Sequence, residues 1–195
     1  MNDQHHLFKP HPWHGISIGR RAPESVTCYI EIVPVDTVKY EVDKESGYLR
    51  IDRPQRYSNV CPAPYGFMPR TYCGPRVAAR SSERIEKHAL PGDGDPLDIC
   101  VFTERDLAHG DVLATAVPIG GLRLVDGDVI DDKIIGVLEG DGAYGAWREI
   151  ADCPAPLIEV YGREEAHEMI RRSLEDYRER FPEIAGIFDE WDASS

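Results

Sequence analysis

The amino-acid sequence predicts an α+β protein that is mainly β: a small closed β-barrel with C-terminal helices packed outside. Two observations lead to this prediction. Between Val26 and Leu138, short runs of β-branched and apolar residues alternate with turn residues, as they do in small barrels. After Gly140 the pattern turns helical, and in residues 163–181 apolar side chains recur every three or four positions.

The first three predicted strands follow one another closely. Residues 26–33 (VTCYIEIV) are nearly all β-branched or apolar, which favours a strand. Residues 38–43 (VKYEVD) alternate between apolar and charged side chains, as expected when the two faces of a strand differ in environment. The segment KESG then forms a turn, and residues 48–52 (YLRID) form the third strand.

Loops and a short helix are expected next. Residues 54–76 contain five prolines, which predicts loops, and the polar residues 77–92 predict a helix that ends at Pro91-Gly92. Strands return at residues 97–102 (LDICVF) and 112–119 (VLATAVPI).

A hairpin and one more strand complete the predicted barrel. In residues 121–130 (GLRLVDGDVI), two apolar runs flank Asp126-Gly127, which is a typical hairpin turn pair. Residues 132–138 (DKIIGVL) read as one more strand, and a short last helix is expected at residues 183–191.

The chain is expected to form one domain preceded by an arm. Its 195 residues suit a single hydrophobic core. Residues 1–24 are rich in His and Pro and lack periodicity, so they predict an irregular arm, and residues 25–195 form the domain. Binding of a soft metal by the histidines of the arm stays open as an alternative.

The formal net charge of −13 limits the classes of partner. A nucleic-acid-binding protein needs a basic surface, and an anionic membrane repels an acidic protein, so neither partner is expected. There is no apolar run of ~20 residues and no secretory N-terminus. The five cysteines show no C-x-x-C spacing and favour reduced thiols, so the protein is expected to be cytoplasmic.

The first cluster of chemically active residues lies just before a strand. Asp93, Asp95 and Asp98 stand within six residues, and Gly94 and Pro96 bend the chain between them. Carboxylates crowded beside a core repel one another and lose solvation, and a hard cation offsets both costs. An EF-hand calcium loop is excluded because Asp98 stands where that loop needs glycine. The alternative is an ordinary solvated acidic turn.

The second cluster is again acidic and comprises Asp126, Asp128, Asp131, Asp132 and Lys133. By itself it fits an acidic hairpin turn. If it faces the first cluster across a cleft, the two together can hold two or more Mg²⁺ ions, clamp a phosphate and lower the pKa of a water.

Charged residues inside strands form a third group. Glu31 stands in an apolar run, where a carboxylate is costly unless it is paired. Lys39 and Glu41 share a strand face, and Arg53 and Lys133 flank apolar strands. Such cations would bind the outer oxygens of a polyphosphate, although ordinary surface ion pairs are the alternative. No Walker A, G-x-G-x-x-G, H-E-x-x-H or G-x-S-x-G motif is present.

These motifs resemble those of the family I soluble inorganic pyrophosphatases. The matching stretches run in order from about Ser25 to about Arg180: IEIV, KYEVDKESG, IDR, YGF, DGDPLD, VDGDVIDDK and EDYR. D-G-D-P-x-D is the most specific of them. The resemblance implies a barrel of the oligonucleotide/oligosaccharide-binding (OB) type, hydrolysis of pyrophosphate to two phosphates, and several Mg²⁺ ions per site. It also implies a homo-oligomer, either a hexamer or a dimer.

The resemblance further implies roles for individual residues. Asp95 would deprotonate the attacking water. The metal ligands would be Asp93, Asp98, Asp131 and Asp126. The phosphate oxygens would be held by Lys39, Arg53, Tyr65, Lys133, Tyr177 and Arg178, with Glu31 and Glu41 in support. The sequence departs from the family pattern in four places: Cys61 stands where many members have tyrosine, Arg178 replaces a lysine, and the connection at residues 73–92 and the N-terminal arm differ from those of the shortest members.

Two other functions stay open at this point. One is a metal-dependent phosphohydrolase that acts on another polyphosphate, such as a nucleotide. The other is a barrel without catalytic activity that binds phosphate or another ligand.

Overall fold

The computed structural model describes residues 9–54, 63–85, 90–141 and 157–192. Nine strands and three helices occur within these residues. In chain order they are β1 (Val26–Ile32), β2 (Val38–Val42), β3 (Leu49–Pro54), β4 (Tyr65–Phe67), α1 (Pro75–Ile85), β5 (Asp98–Phe102), β6 (Val112–Asp126), β7 (Val129–Ile130), β8 (Lys133–Leu138), β9 (Leu157–Gly162), α2 (Arg163–Arg180) and α3 (Pro182–Asp192). None of the described helices is both long and apolar enough to cross a lipid bilayer.

Five strands pair in a ring. β1 pairs with β4, β4 with β5, β5 with β8, β8 with β6, and β6 with β1 again. The β5–β8 pair is parallel and the other four are antiparallel. β7 and β9 extend the sheet from β6, and β2 and β3 form a separate hairpin. The predicted class, α+β and mainly β, is therefore confirmed.

The main core lies where the ring meets α2. Ile30, Ile99 and Ile134 come from three strands of the ring, and each is fully buried. Met169 and Ile170 of α2 complete the cluster from outside, because their spacing places both on the helix face that meets the ring. Burial of each such side chain contributes about 1.5–3 kcal/mol, so the ring and the helix stabilise each other.

Two strands were not expected from the sequence. β4 lies within residues 54–76, where five prolines predicted loops, and β9 lies in the stretch after Gly140 that was expected to be helical. β9 pairs with β6 opposite two glycines. A Cβ on Gly120 would lie 2.5 Å from the carbonyl oxygen of Tyr161, so glycine is required for this close approach.

Several boundaries also differ from the predictions. β6 is one strand with an irregularity between Pro118 and Gly120, where two strands were expected. The predicted hairpin is present, but its turn residues are Gly127 and Asp128, one position later than expected, and Gly127 has φ +58°. α1 begins at Pro75, before the predicted helix start. Cys61 lies outside the described residues.

Candidate active site

A cavity of about 250 Å³ opens between the β2–β3 hairpin and the ends of β5 and β8. It brings together ten of the thirteen site residues predicted from the sequence. These ten are Glu31, Lys39, Glu41, Tyr65, Asp93, Asp95, Asp98, Asp126, Asp131 and Lys133. Asp126, Asp131 and Lys133 of the second cluster therefore face the first cluster across the cavity, whereas Asp128 and Asp132 do not line it.

The first acidic loop is held in place through its backbone. Gly94 has φ +80°, a conformation that favours glycine, and its N–H donates to the carbonyl of Cys73 at 3.2 Å. The N–H of Cys73 in turn donates to the carbonyl of Asp95 at 2.8 Å. The N–H of Asp95 donates to Oδ1 of Asp93 at 2.9 Å, so the carboxylate of Asp93 also stabilises the turn of the loop.

The parallel register of β5 and β8 sets the centre of the cavity. Asp98 pairs with Lys133 across these two strands, so their side chains leave the sheet side by side. The ammonium of Lys133 donates to Asp98 at 2.8 Å, to Asp131 at 2.9 Å and to the hydroxyl of Tyr65 at 3.1 Å. The Tyr65 hydroxyl also donates to Asp98. Lys133 thus joins residues from both acidic clusters.

Burial and mutual repulsion shift the protonation equilibria of the cavity. The pKa of Asp93 rises to about 7, mainly through burial and also through the nearby carboxylates of Asp98, Asp95 and Asp131. The pKa of Glu31 rises to about 8, mainly through burial, although the N–H of Val42 donates to its carboxylate at 2.6 Å. These carboxylates lack enough positive charge from the protein around them.

The oxygen-rich donor set fits a hard divalent cation. Carboxylate oxygens are the ligands that Mg²⁺ prefers in proteins, and a cation would relieve the repulsion that raises these pKa values. In the part of the chain that the structure describes, no three acidic, histidine or cysteine side chains converge as a ready metal cage. Lys133 lies between Asp98 and Asp131 instead.

The β2–β3 hairpin forms the opposite wall. Lys39 and Glu41 of β2 line the cavity, and Lys39 forms an ion pair with Asp52 at 3.3 Å. The backbone of Arg53 pairs with Lys39, while its side chain lies outside the described residues. Sequence reasoning missed Lys44, which forms an ion pair with Asp95. Its place in the matched motif KYEVDKESG was an available signal.

Two predicted phosphate ligands do not line the cavity. Tyr177 is only 2% exposed and packs in an aromatic cluster, with its hydroxyl 2.8 Å from Nδ1 of His14. Arg178 is exposed on the surface of α2. The apolar spacing that predicted α2 also explains this placement, because it turns Tyr177 towards the core. A role for both residues in holding phosphate stays a prediction.

Comparisons with known proteins agree with one another. The family described as inorganic pyrophosphatase matches residues 28–163. An inorganic pyrophosphatase of Chlamydia muridarum is 44% identical over 195 aligned positions, covering 86% of this chain and 93% of the relative. That of Chlamydia caviae is 41% identical, covering 93% and 97%. The crystal structure of the Thermus thermophilus enzyme matches with a TM-score of 0.66 and 25% identity, covering 86% of this chain and 99% of that one.

Proposed function

Because the chain belongs to the family of inorganic pyrophosphatases, it is an enzyme that hydrolyses pyrophosphate, and we propose that the reaction takes place in the acidic cavity with Mg²⁺ as cofactor. The products are two phosphates. Both the enzyme class and the reaction agree with the expectations from the sequence motifs.

The observation that supports this assignment is the charge balance of the cavity. Seven carboxylates line it, against two lysines, Lys39 and Lys133. A cavity of this kind repels pyrophosphate, which is itself an anion, unless divalent cations bind first. The substrate therefore requires the metal, and the metal requires the carboxylates.

We assign the metal to the side chains of Asp93, Asp98, Asp126 and Asp131. When bound, Mg²⁺ neutralises charge on the phosphate oxygens and lowers the pKa of a water. In this arrangement Lys133 no longer needs to neutralise Asp98 and Asp131, and its ammonium becomes available to the substrate.

The side chains of the protein then perform three tasks. Asp95 accepts the proton of the attacking water, because it lines the cavity beside the assigned metal ligands. Lys39, Lys133 and Tyr65 bind phosphate oxygens and stabilise the charge that develops on the leaving phosphate. Glu31 and Glu41 support this wall of the cavity. Arg53, Tyr177 and Arg178 stay predicted phosphate ligands.

The test is phosphate release from pyrophosphate with and without millimolar Mg²⁺, beside ATP and a phosphomonoester. We expect release from pyrophosphate alone, abolished by a chelator. Asp95→Asn should lower turnover by about 10²–10⁴-fold, the usual contribution of a general base. Asp128→Asn is the matched control, because Asp128 is exposed in the hairpin turn and does not line the cavity.

Each other result points to a different function. Faster release from ATP would indicate a nucleotide phosphohydrolase. No release by folded protein would favour the barrel that only binds phosphate. Near wild-type turnover of Asp95→Asn would show that another group is the base.

We also propose the finer features of the protein. The ring of strands is a closed OB-type barrel, and residues 25–195 form the single catalytic domain after the arm of residues 1–24. The buried thiols of Cys28 and Cys73 support a reducing, cytoplasmic location. We propose a homo-oligomer, a hexamer or a dimer, as the family resemblance implies, and light scattering would distinguish them.

A further inference from the structure

We propose that the N-terminal arm holds the catalytic loop in its working geometry, with Trp13 as the positioning residue. The catalytic loop is defined here as residues 93–98. Residues 11–14 of the arm contact three segments that surround the cavity, and Trp13 reaches the catalytic loop through Thr71. The proposal rests on the function assigned above and extends it to a part of the chain outside the matched motifs.

The first contact runs from Trp13 to the catalytic loop. The indole N–H of Trp13 donates to the carbonyl of Thr71 at 2.8 Å, and the N–H of Arg70 donates back to the carbonyl of Trp13 at 2.8 Å. The hydroxyl of Thr71 accepts the N–H of Leu97 at 2.8 Å. Leu97 lies between Asp95 and Asp98, so the path ends inside the loop that carries the proposed base and metal ligands.

This path is buried. Trp13 is 5% exposed, and Thr71 and Leu97 are fully buried. The Thr71 hydroxyl also donates to the carbonyl of Met68 at 2.7 Å, which fixes the direction of its proton. A group lost from this path leaves a buried partner unsatisfied, and the backbone is expected to shift in order to satisfy it.

Trp13 also lies beside the proposed base. It lines a small cavity of about 40 Å³ that it shares with Asp95, Pro96 and Asp98. The indole therefore lies next to the catalytic loop. It is not among the residues that line the larger acidic cavity, which makes it a positioning residue.

The second contact is with the turn of the β2–β3 hairpin. Gly47 has φ +74°, and a Cβ at this position would come within 2.9 Å of the His11 ring and of Pro12. The turn thus fits closely against the arm. It carries Lys44, whose ammonium forms an ion pair with Asp95.

The third contact is with the end of α2. Nδ1 of His14 lies 2.8 Å from the hydroxyl of Tyr177, and the ring of Phe181 packs edge-on against Trp13 at 5.4 Å between centroids. Loop, hairpin and helix are therefore all held by the same four residues of the arm.

The test compares two variants that each remove one side-chain donor from the same aromatic cluster. Trp13→Phe keeps an aromatic ring and removes the N–H that holds Thr71. Tyr29→Phe, the control, removes a hydroxyl that donates to Asp111 at 2.7 Å, away from the catalytic loop. Both are full-length proteins, and their free energies of unfolding are measured first, in urea.

Three readouts separate positioning from stability. We expect Trp13→Phe to lower kcat for pyrophosphate about tenfold, since small misplacements of reacting groups are costly. Mg²⁺ should bind about tenfold more weakly by titration calorimetry, as it does when a supporting contact of a ligand is lost. Hydrogen exchange of the Leu97 amide should accelerate, and Tyr29→Phe should change none of the three.

A second pair of variants tests the same hydrogen-bonded path without replacing Trp13. Thr71→Ser keeps the hydroxyl and should behave as wild type, whereas Thr71→Val should reproduce Trp13→Phe. The double variant Trp13→Phe/Thr71→Val should be no worse than either single variant if both act on one path.

A failure of the positioning role can be distinguished from a failure of the proposed function. An inactive wild type rejects the assigned reaction, while the exchange rate of Leu97 still tests the positioning. If that rate is the same in Trp13→Phe and Tyr29→Phe, the inference is overturned, whatever the activity. Equal kcat and Mg²⁺ affinity in these two variants would likewise overturn it.

Discussion

Asp131 and Asp132 are neighbours in the chain, but they lie in regions with different balances of charge. Asp131 faces the cavity, where seven carboxylates are set against two lysines. Asp132 points away from it and is 1% exposed, with Ser81 donating at 2.8 Å and Arg123 at 3.4 Å. Arg123 is itself fully buried and also donates to Glu159 and to Glu165.

The difference shows where the protein depends on a ligand for its balance of charge. Behind the cavity, the protein supplies its own positive charges, since Arg80 joins Arg123 on Glu165 at 2.6 Å. Burial raises the pKa of both Asp132 and Asp93, but Ser81 and Arg123 oppose this shift at Asp132, whereas the neighbouring carboxylates add to it at Asp93, where the cavity leaves carboxylates in excess. Such an excess marks a site whose missing charge arrives with a cation. Variants in the two regions should therefore affect different properties.

The largest expected effect is on activity, from Asp93→Asn. Removing this proposed metal ligand should lower kcat by about 10²–10³-fold, as the loss of one electrostatic group in an active site commonly does. Without Mg²⁺ the free energy of unfolding should stay equal or increase, because a buried carboxylate that repels its neighbours is gone. Phosphate release and urea unfolding in a chelator measure the two effects. A loss of stability in chelator would show that the protein itself already balances the negative charge of the cavity.

The next largest effect is on stability, from Arg123→Met. It leaves Asp132 buried without its counter-ion, which typically costs about 3–5 kcal/mol. Urea unfolding measures this loss, and Arg20→Met is the matched control, since Arg20 is exposed on the arm. A loss below about 1 kcal/mol, the value of a surface pair, would mean that the network does not depend on Arg123.

A third variant sharpens the interpretation of that loss. In the double variant Arg123→Met/Asp132→Asn, the asparagine keeps the shape that accepts from Ser81 and carries no charge. We expect it to recover about 1–3 kcal/mol of the stability lost in Arg123→Met, because the unpaired buried carboxylate is removed. Urea unfolding of the four proteins of the cycle gives this coupling. If the double variant is as unstable as the sum of the singles, the loss arises from packing around Arg123.

The sequence predicted which residues make up the two acidic clusters. It did not predict which of them would meet in the cavity and which would point away from it. Asp98 and Lys133 each stand at a strand start, which periodicity could identify. Their side-by-side placement depends on the parallel β5–β8 register, which is set by the whole ring. Asp131 and Asp132 look alike in sequence, and only the position of Arg123 distinguishes them. The contact between Trp13 and Thr71 joins residues 58 positions apart, and an arm without periodicity gives no signal of it.

The smallest expected effect concerns His14, which the folded protein keeps uncharged. Burial, and next the nearby His11, lower the pKa of His14 to about 4. Within the described residues, its contacts are with Tyr177 and the rings of His11, Trp13 and Phe181, and none of these side chains is acidic. Below about pH 6.5 the unfolded chain binds a proton at this histidine that the folded chain does not bind. At His14 this difference lowers the free energy of unfolding as the pH falls from 7.5 to 5, while the raised pKa values of Asp93 and Glu31 act in the opposite direction over the same range.

His14→Asn tests this, because it keeps a polar group beside Tyr177 and cannot titrate. As the pH falls over that range, its free energy of unfolding should rise relative to that of the wild type, whereas His109→Asn, at an exposed position, should leave the pH dependence unchanged. Equal pH dependence in all three proteins would show that His14 becomes protonated without cost. Between pH 7.5 and 5 the arm would then either move away from the domain or hold a protonated His14 in place. The contact between His14 and Tyr177 would be weaker than the geometry indicates.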